Sequence, residues 1–260
     1  MAAVALAAAE YGSGPPLLIL HGLFGSGRNW SSLAQRLAAA HQVFALDARN
    51  HGASPWADSM SYADMTEDLQ ALRGARGLGR AAVIGHSMGG KAAMLLALHH
   101  AEAVERLVVV DVAPVAYQPA LAAYVRAMRA VDLAEVSRRA EVDAQLAGAV
   151  TSSAERAFLL QNLVLEGGRA RWRLNLPVLE RFMPDISGFP EPAAGVSFAG
   201  PALFVAGERS NYVRPEHRPA IERLFPNSRI ARVPEAGHWL HAERPDAFLA
   251  LVTPFLAGNG

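Results

Sequence analysis

The sequence predicts an α/β protein in which a mostly parallel sheet is covered by helices on both faces. Two observations carry that expectation. Short unbroken apolar runs of about four residues recur along the chain, and most lead into a stretch with helical spacing. Strands buried on both faces read as such runs, and parallel neighbours need a crossover that a helix usually supplies. A third observation divides the chain. Residues 115–200 interrupt the alternation for far longer than a crossover of about a dozen residues requires.

Taken in order, Leu17-Leu18-Ile19-Leu20 is the first buried strand, followed by a loop and a helix with apolar positions Trp30, Leu33, Ala34 and Leu37. Val43-Phe44-Ala45-Leu46 comes next, then a polar loop and a helix around Met65 to Leu72. Ala81-Ala82-Val83-Ile84 precedes a helix from Ala92 to His99 that contains neither Pro nor Gly. Leu107 to Val110, Ala202 to Val205 and the weaker Ile230 to Val233 complete the set. The segment Met1 to Ala9 lacks the basic start of a signal peptide and is too short before Glu10, so it reads as an edge strand. Within the long interval, Leu121, Tyr124, Val125, Met128 and Val131 hold helical spacing, and Phe158, Leu159, Leu160, Leu163 and Val164 form a second apolar stretch. The expected organisation is therefore a core of residues 1–114 and 201–260 with a mostly helical cap, 115–200, above the C-terminal edge of the sheet. Ligands bind at that edge in open α/β folds.

Composition narrows the function. The 260 residues are 52% hydrophobic and 18% charged, which is globular and ample for a core. The 24 basic residues balance the 24 acidic ones, so no charge bias points to nucleic acid or an anionic membrane surface. There is no Cys, which removes disulfides, thiol catalysis and thiolate metal sites. No apolar run spans a bilayer. A cytoplasmic protein, monomeric or weakly self-associating, with no cofactor and no metal, is the expectation.

The chemistry gathers around Val83-Ile84-Gly85-His86-Ser87-Met88-Gly89-Gly90-Lys91. Gly-x-Ser-x-Gly after a strand and before a helix is the setting of a nucleophile elbow, in which a sharp turn exposes the Ser hydroxyl. The pentapeptide is weak alone, so the chain must also supply a base, an acid and an oxyanion hole. In this arrangement the order is Ser, acid, His, which restricts the base to His217, His238 or His241. His217 starts a polar helix and His241 falls in or beside the last one, where a solvated ring is usual. His238, in Ala236-Gly237-His238-Trp239 after the final strand, is the candidate base. The pair His238 and His241 shows no third residue that would make a metal site.

For the acid, Asp111 and Glu208 both end strands. Asp111 follows four apolar residues and precedes two, so a carboxylate there is buried and needs a partner; it is preferred. Glu208 is followed by Arg209, Ser210 and Asn211, where a solvated role is usual. The oxyanion hole is expected from the amides of Met88 and of Leu23, the latter in His21-Gly22-Leu23-Phe24-Gly25-Ser26. Phe24 would wall the acyl pocket. The polar stretch Asp47-Ala48-Arg49-Asn50-His51-Gly52 reads as a loop that satisfies its own backbone.

These stretches together, with Asp111-Val112-Ala113-Pro114-Val115, Trp172-Arg173, Asn175-Leu176-Pro177-Val178 and Gly237-His238-Trp239, resemble the YbfF-type esterases over almost the whole chain. The resemblance implies the α/β-hydrolase fold with a helical cap inserted between strands 6 and 7. It implies hydrolysis of carboxylic esters and thioesters, acyl-CoA among them, without metal or cofactor. The family's acid matches Asp111, and it carries no carboxylate where this chain has Glu208. The expected substrate is thus a small-molecule ester or thioester, with Tyr124, Met128, Trp172, Phe182 and Trp239 as pocket candidates. A C–C bond hydrolase or lactonase using the same triad, or a ligand-binding receptor on a hydrolase scaffold, are the alternatives.

Overall fold

The computed structural model describes residues 2–118 and 120–258. Its centre is a seven-stranded sheet in the order β1-β3-β2-β4-β5-β8-β9. These strands are β1 (Ala8–Tyr11), β2 (Pro16–Leu20), β3 (Gln42–Leu46), β4 (Ala81–His86), β5 (Val104–Val110), β8 (Ala202–Gly207) and β9 (Ser228–Val233). Every pairing is parallel except β1 with β3. The edge strand starts at Ala8 and runs to Tyr11, later than the reading of Met1 to Ala9, because its partner register opposes Leu46 to Ala8 and Val43 to Tyr11. Met1 lies outside the described residues.

Successive strand residues face opposite sides of the sheet, and each side has its own cover. Leu17, Ile19, Val43, Ala45, Val108 and Val110 pack on one side with α1 (Ser31–Leu37) and α11 (Pro245–Leu256), through residues such as Leu33, Phe248 and Val252. Leu18, Leu20, Phe44, Val83, Leu107 and Phe204 pack on the other with α2 (Tyr62–Ala75), α3 (Met88–His99) and α9 (Arg218–Leu224). The short α10 (Leu240–Glu243) lies between β9 and α11. All six residues of β4 and of β8 are buried, which is why these strands show no polar alternation in sequence.

Between β5 and β8 lie α4 (Ala122–Ala130), α5 (Arg139–Leu146), α6 (Ser153–Leu160), the hairpin strands β6 (Leu163–Glu166) and β7 (Arg169–Trp172), α7 (Leu176–Arg181) and α8 (Met183–Ser187). Counted along the chain this insertion follows the fifth sheet strand and precedes the sixth, since one strand, β1, stands ahead of β2. The second apolar stretch is split rather than continuous. α6 ends at Leu160, and Leu163 opens the hairpin, whose turn uses Gly167 and Gly168 at φ 58° and 72°. Gly-Gly between two short runs is the local signal for such a turn. Beyond α8, Phe198 is buried against Phe225 and its amide donates to Leu224 O, so this part of the segment packs on the core.

The polar loop after β3 anchors several parts of the molecule at once. Arg49, buried, donates from Nε and Nη2 to Asp68 at 2.6 and 2.7 Å, and Asp68 also accepts Val4 N at 2.7 Å. Asn50 takes a positive φ of 64°, gives its side-chain amide to Ser59 O, and accepts Ala57 N. It also meets Asn175 of the insertion twice, Asn175 N donating to Asn50 O and Asn175 Nδ2 to Asn50 Oδ1. The loop does satisfy its own backbone, and it clamps the insertion as well. Buried amides of this kind specify one arrangement because an unpaired one costs about 1–3 kcal/mol.

Candidate active site

Ser87 stands between the end of β4 and the start of α3 at φ 52° and ψ −116°. Its amide donates to Val110 O and its carbonyl accepts Lys91 N, so strand and helix hold the strained turn from both sides. The turn demands glycine nearby. A Cβ on Gly85 would stand 2.3 Å from Gly89 O, and one on Gly89 would stand 2.5 Å from His21 O. No real side chain fits at either distance.

Asp111 follows β5 at φ 52° and is fully buried. Its carboxylate accepts His238 Nδ1 at 2.7 Å, Gly207 N at 3.0 Å and the Ser210 hydroxyl. With Nδ1 so occupied, His238 has Nε2 as its remaining nitrogen, and both His238 and Ser87 line one cavity. Glu208, the alternative acid, is exposed and accepts Glu235 N at 2.8 Å. Sequence does not single out Ser210. Only its position three residues after β8 marks it, and nothing in Glu208-Arg209-Ser210-Asn211 distinguishes its hydroxyl from a solvated one.

His238 is held on its faces as well. The Tyr212 ring stacks on it at 4.1 Å, and His86 lies at 4.7 Å, donating from Nε2 to His238 O at 2.9 Å. Tyr117 supports this wall: its hydroxyl donates to Tyr212 O at 2.5 Å and accepts Ala113 N at 2.8 Å. His241 is buried and stacked on Trp30 at 4.1 Å, instead of the solvated position its helix context suggests. Phe248 meets it edge-on at 6.5 Å and also packs on Trp30, so the three rings form one buried cluster.

Four rings near the site are held neutral. Burial, then the neighbouring His241 and His238, keeps His86 well below the usual histidine range. Burial lowers His21, which is fixed as one tautomer with Nδ1 toward Gly22 O and Nε2 accepting Ala48 N. His51 and His241 are each brought down to about 3, chiefly by burial. In the unfolded chain such rings titrate near about 6.5. Below that pH the unfolded state binds protons that the folded state refuses, so stability falls as pH drops from about 6.5 toward 3. Each of the two rings should cost roughly 2 kcal/mol at pH 5. Urea midpoints at pH 7 and 5 measure it, and equal midpoints would show that the buried rings accept protons without unfolding.

Met88 is the first residue of α3 and Leu23 sits in the loop after β2; neither amide donates to another protein group among the described residues. The next residue, Phe24, has φ 64°, and Asn162 Nδ2 from the insertion donates to its carbonyl at 2.8 Å. Amides without a partner at a helix start and a tight loop can receive a developing oxyanion.

The cavity at Ser87 has two lobes. The larger, about 170 Å³, is lined by Phe24, Trp30, Tyr124, Phe158, His238 and Trp239. The smaller, about 50 Å³, reaches past Met88 to Lys91, Tyr117, Met183 and Ile186. Of the pocket candidates, Phe24, Tyr124 and Trp239 line the larger lobe. Met128, Trp172 and Phe182 line neither. Met128 is fully buried inside the insertion, Trp172 Nε1 donates to its carbonyl at 3.1 Å, and Phe182 carries the Arg181 guanidinium on its ring. The helical spacing of Met128 marks the interior of the insertion, not a cavity lining. Lys91, the single Lys of the chain, is buried, with Nζ donating to Ser187 O and Gly188 O and lying 4.8 Å from the Tyr117 ring. Burial brings it down to about 7.

Among the described residues no group of three His, Asp or Glu is arranged to hold a metal ion, and no helix is long and apolar enough to cross a membrane.

Comparison with known proteins places this geometry in a family. The alpha/beta hydrolase fold family matches residues 15–245. A mouse (Mus musculus) protein named sn-1-specific diacylglycerol lipase ABHD11 is 45% identical over 251 residues, covering 94% of this chain and 81% of that protein. Esterase YbfF of Escherichia coli (strain K12) is 36% identical over 248 residues, covering 93% and 92%. A solved structure described as a marine microorganism esterase superposes with a TM-score of 0.94 at 38% identity, covering 97% of this chain and all of that one. The chain belongs to the α/β-hydrolase fold family and, within it, to the relatives of the YbfF-type esterases.

Proposed function

We propose that the protein is a serine hydrolase that cleaves carboxylic esters or thioesters through Ser87, His238 and Asp111. The observation that carries this reading is the buried Asp111 carboxylate 2.7 Å from His238 Nδ1, with the ring and Ser87 lining one cavity. A Ser hydroxyl is a weak nucleophile until a base takes its proton, and a base works only in the right tautomer. Asp111 keeps the proton on Nδ1, which leaves Nε2 basic. His238 Nε2 removes the Ser87 proton as Oγ bonds to the acyl carbon. The carbonyl oxygen gains negative charge against the amides of Leu23 and Met88. Collapse breaks the bond to the leaving oxygen or sulfur, which takes the proton from His238. Water then repeats the sequence against the acyl-enzyme and releases the acid.

The insertion acts as a cap over this chemistry, in a protein working in the cytoplasm on small-molecule esters. The names of its relatives, an esterase and a diacylglycerol lipase, support ester cleavage as the reaction class. A lactonase or C–C bond hydrolase would use the same three residues, and a binding protein on this scaffold would turn over nothing. Incubation with a fluorophosphonate followed by intact-mass measurement tests the reading. One adduct is expected on the wild type and none on Ser87→Ala; an undiminished adduct on that variant, or none on the wild type, sinks it.

A further inference from the structure

From the two lobes we infer that the acyl group sits in the small lobe closed by Met183 and Ile186, while the leaving group occupies the larger aromatic lobe. The substrate class is then a short acyl chain on a bulky apolar alcohol, phenol or thiol. The inference rests on the serine-hydrolase reading and adds to it which side of Ser87 each half of the substrate takes.

When the tetrahedral intermediate collapses, the bond from the acyl carbon to the leaving atom breaks, and His238 Nε2 must deliver its proton to that atom. Proton delivery needs about 2.6–3.2 Å between the heavy atoms. The leaving atom therefore stands on the His238 side of Ser87. His238 and Trp239 line the larger lobe, whereas the smaller is lined by Met88, Lys91, Tyr117, Met183 and Ile186 and by neither of them. The two lobes share Leu23, Ser87, Leu121 and Tyr212, so the reacting carbon sits at their junction. The acyl chain, pointing away from the leaving atom, runs into the smaller lobe.

Size then sets chemistry. A cavity of about 150 Å³ holds a benzene ring and a water occupies about 30 Å³. The larger lobe, about 170 Å³, takes an aromatic ring or a branched aliphatic group. It also shares Phe24 and Asn29 with an adjoining groove of about 950 Å³, so a bulky leaving group has room to continue outward. The smaller lobe, about 50 Å³, takes by the same measure a group of about two heavy atoms. Its far end is rigid. Lys91 Nζ ties Ser187 O and Gly188 O, Tyr117 N donates to Ser187 O at 2.9 Å, and Tyr62 OH donates to Ile186 O at 2.7 Å. Lengthening the acyl chain means breaking those bonds.

The test compares p-nitrophenyl esters from acetate to decanoate, and phenyl with 2-naphthyl acetate. Wild-type kcat/KM is expected to be at least about tenfold higher for acetate or butyrate than for decanoate, since one badly placed methylene already costs roughly that factor. Met183→Ala, with the milder Ile186→Val as a variant that disturbs folding less, should move the optimum to longer chains and leave the naphthyl-to-phenyl ratio unchanged. Phe158→Ala, in the larger lobe, should change the naphthyl-to-phenyl ratio and leave the chain-length optimum in place. A wild type that prefers decanoate, or the two sets of variants exchanging their effects, overturns the lobe assignment while ester cleavage and fluorophosphonate labelling persist. A chain that neither labels nor cleaves any of these esters overturns the serine-hydrolase reading instead.

Discussion

Ser87→Ala is expected to lower kcat for p-nitrophenyl butyrate by roughly 10⁵- to 10⁶-fold, to the residual rate that binding and oxyanion stabilisation alone support. The size of the effect follows from the division of labour at the site. Without Oγ no acyl-enzyme forms, and the His238–Asp111 pair has no proton to move. KM should change little, because the lobes that hold the substrate are untouched. Ser87→Gly would be equally inactive, yet glycine adopts φ 52° without the steric penalty that Ser87 carries. Such strained residues cost of the order of 1–3 kcal/mol. The glycine variant should therefore unfold at a urea concentration no lower than that of Ser87→Ala. A glycine variant clearly less stable than the alanine one would mean the turn is not strained.

Asp111→Asn should lower kcat by about 10⁴-fold, whereas Glu208→Gln should stay within about twofold of wild type. An amide at position 111 can present an N–H toward His238 Nδ1, which favours the tautomer whose Nε2 carries the proton and cannot act as a base. It also meets Gly207 N, a donor at 3.0 Å that needs an acceptor, and the Ser210 hydroxyl. Glu208 has no such position: it is exposed and engaged with Glu235 N. Ser210→Ala serves as an intermediate case, since it removes one of three contacts to the carboxylate and leaves the His238 contact in place. A loss of orders of magnitude in Glu208→Gln with an active Asp111→Asn would reassign the acid.

The strands, the elbow and the order of Ser87, Asp111 and His238 were legible because each rests on a local rule. A strand buried on both faces must be apolar throughout, as β4 and β8 are. A turn at φ 52° must have glycine where Gly85 and Gly89 approach backbone at 2.3 and 2.5 Å. A carboxylate after four apolar residues must find a partner, and Asp111 found His238. Pattern and chemistry agree at these positions, so sequence and structure could hardly diverge.

The pocket obeyed no local rule: of the six candidate side chains, Phe24, Tyr124 and Trp239 line the cavity at Ser87, and Met128, Trp172 and Phe182 do not. Met128 repeats at helical spacing with Leu121, Tyr124 and Val125, but periodicity says only that a helix has an apolar face, not what that face meets. In the fold Met128 meets Trp172, while Phe24, Tyr124 and Trp239 line the cavity at Ser87. Nor could sequence find Ser210, 99 residues from the carboxylate it touches, or the buried stacking of His241 on Trp30. The chain order alone carries the proposed nucleophile, base and acid, because backbone strain and burial constrain single residues. Which side chains wall each lobe, and how short an acyl group fits beneath α8, depends on contacts between segments far apart in the chain, and only their packing decides it.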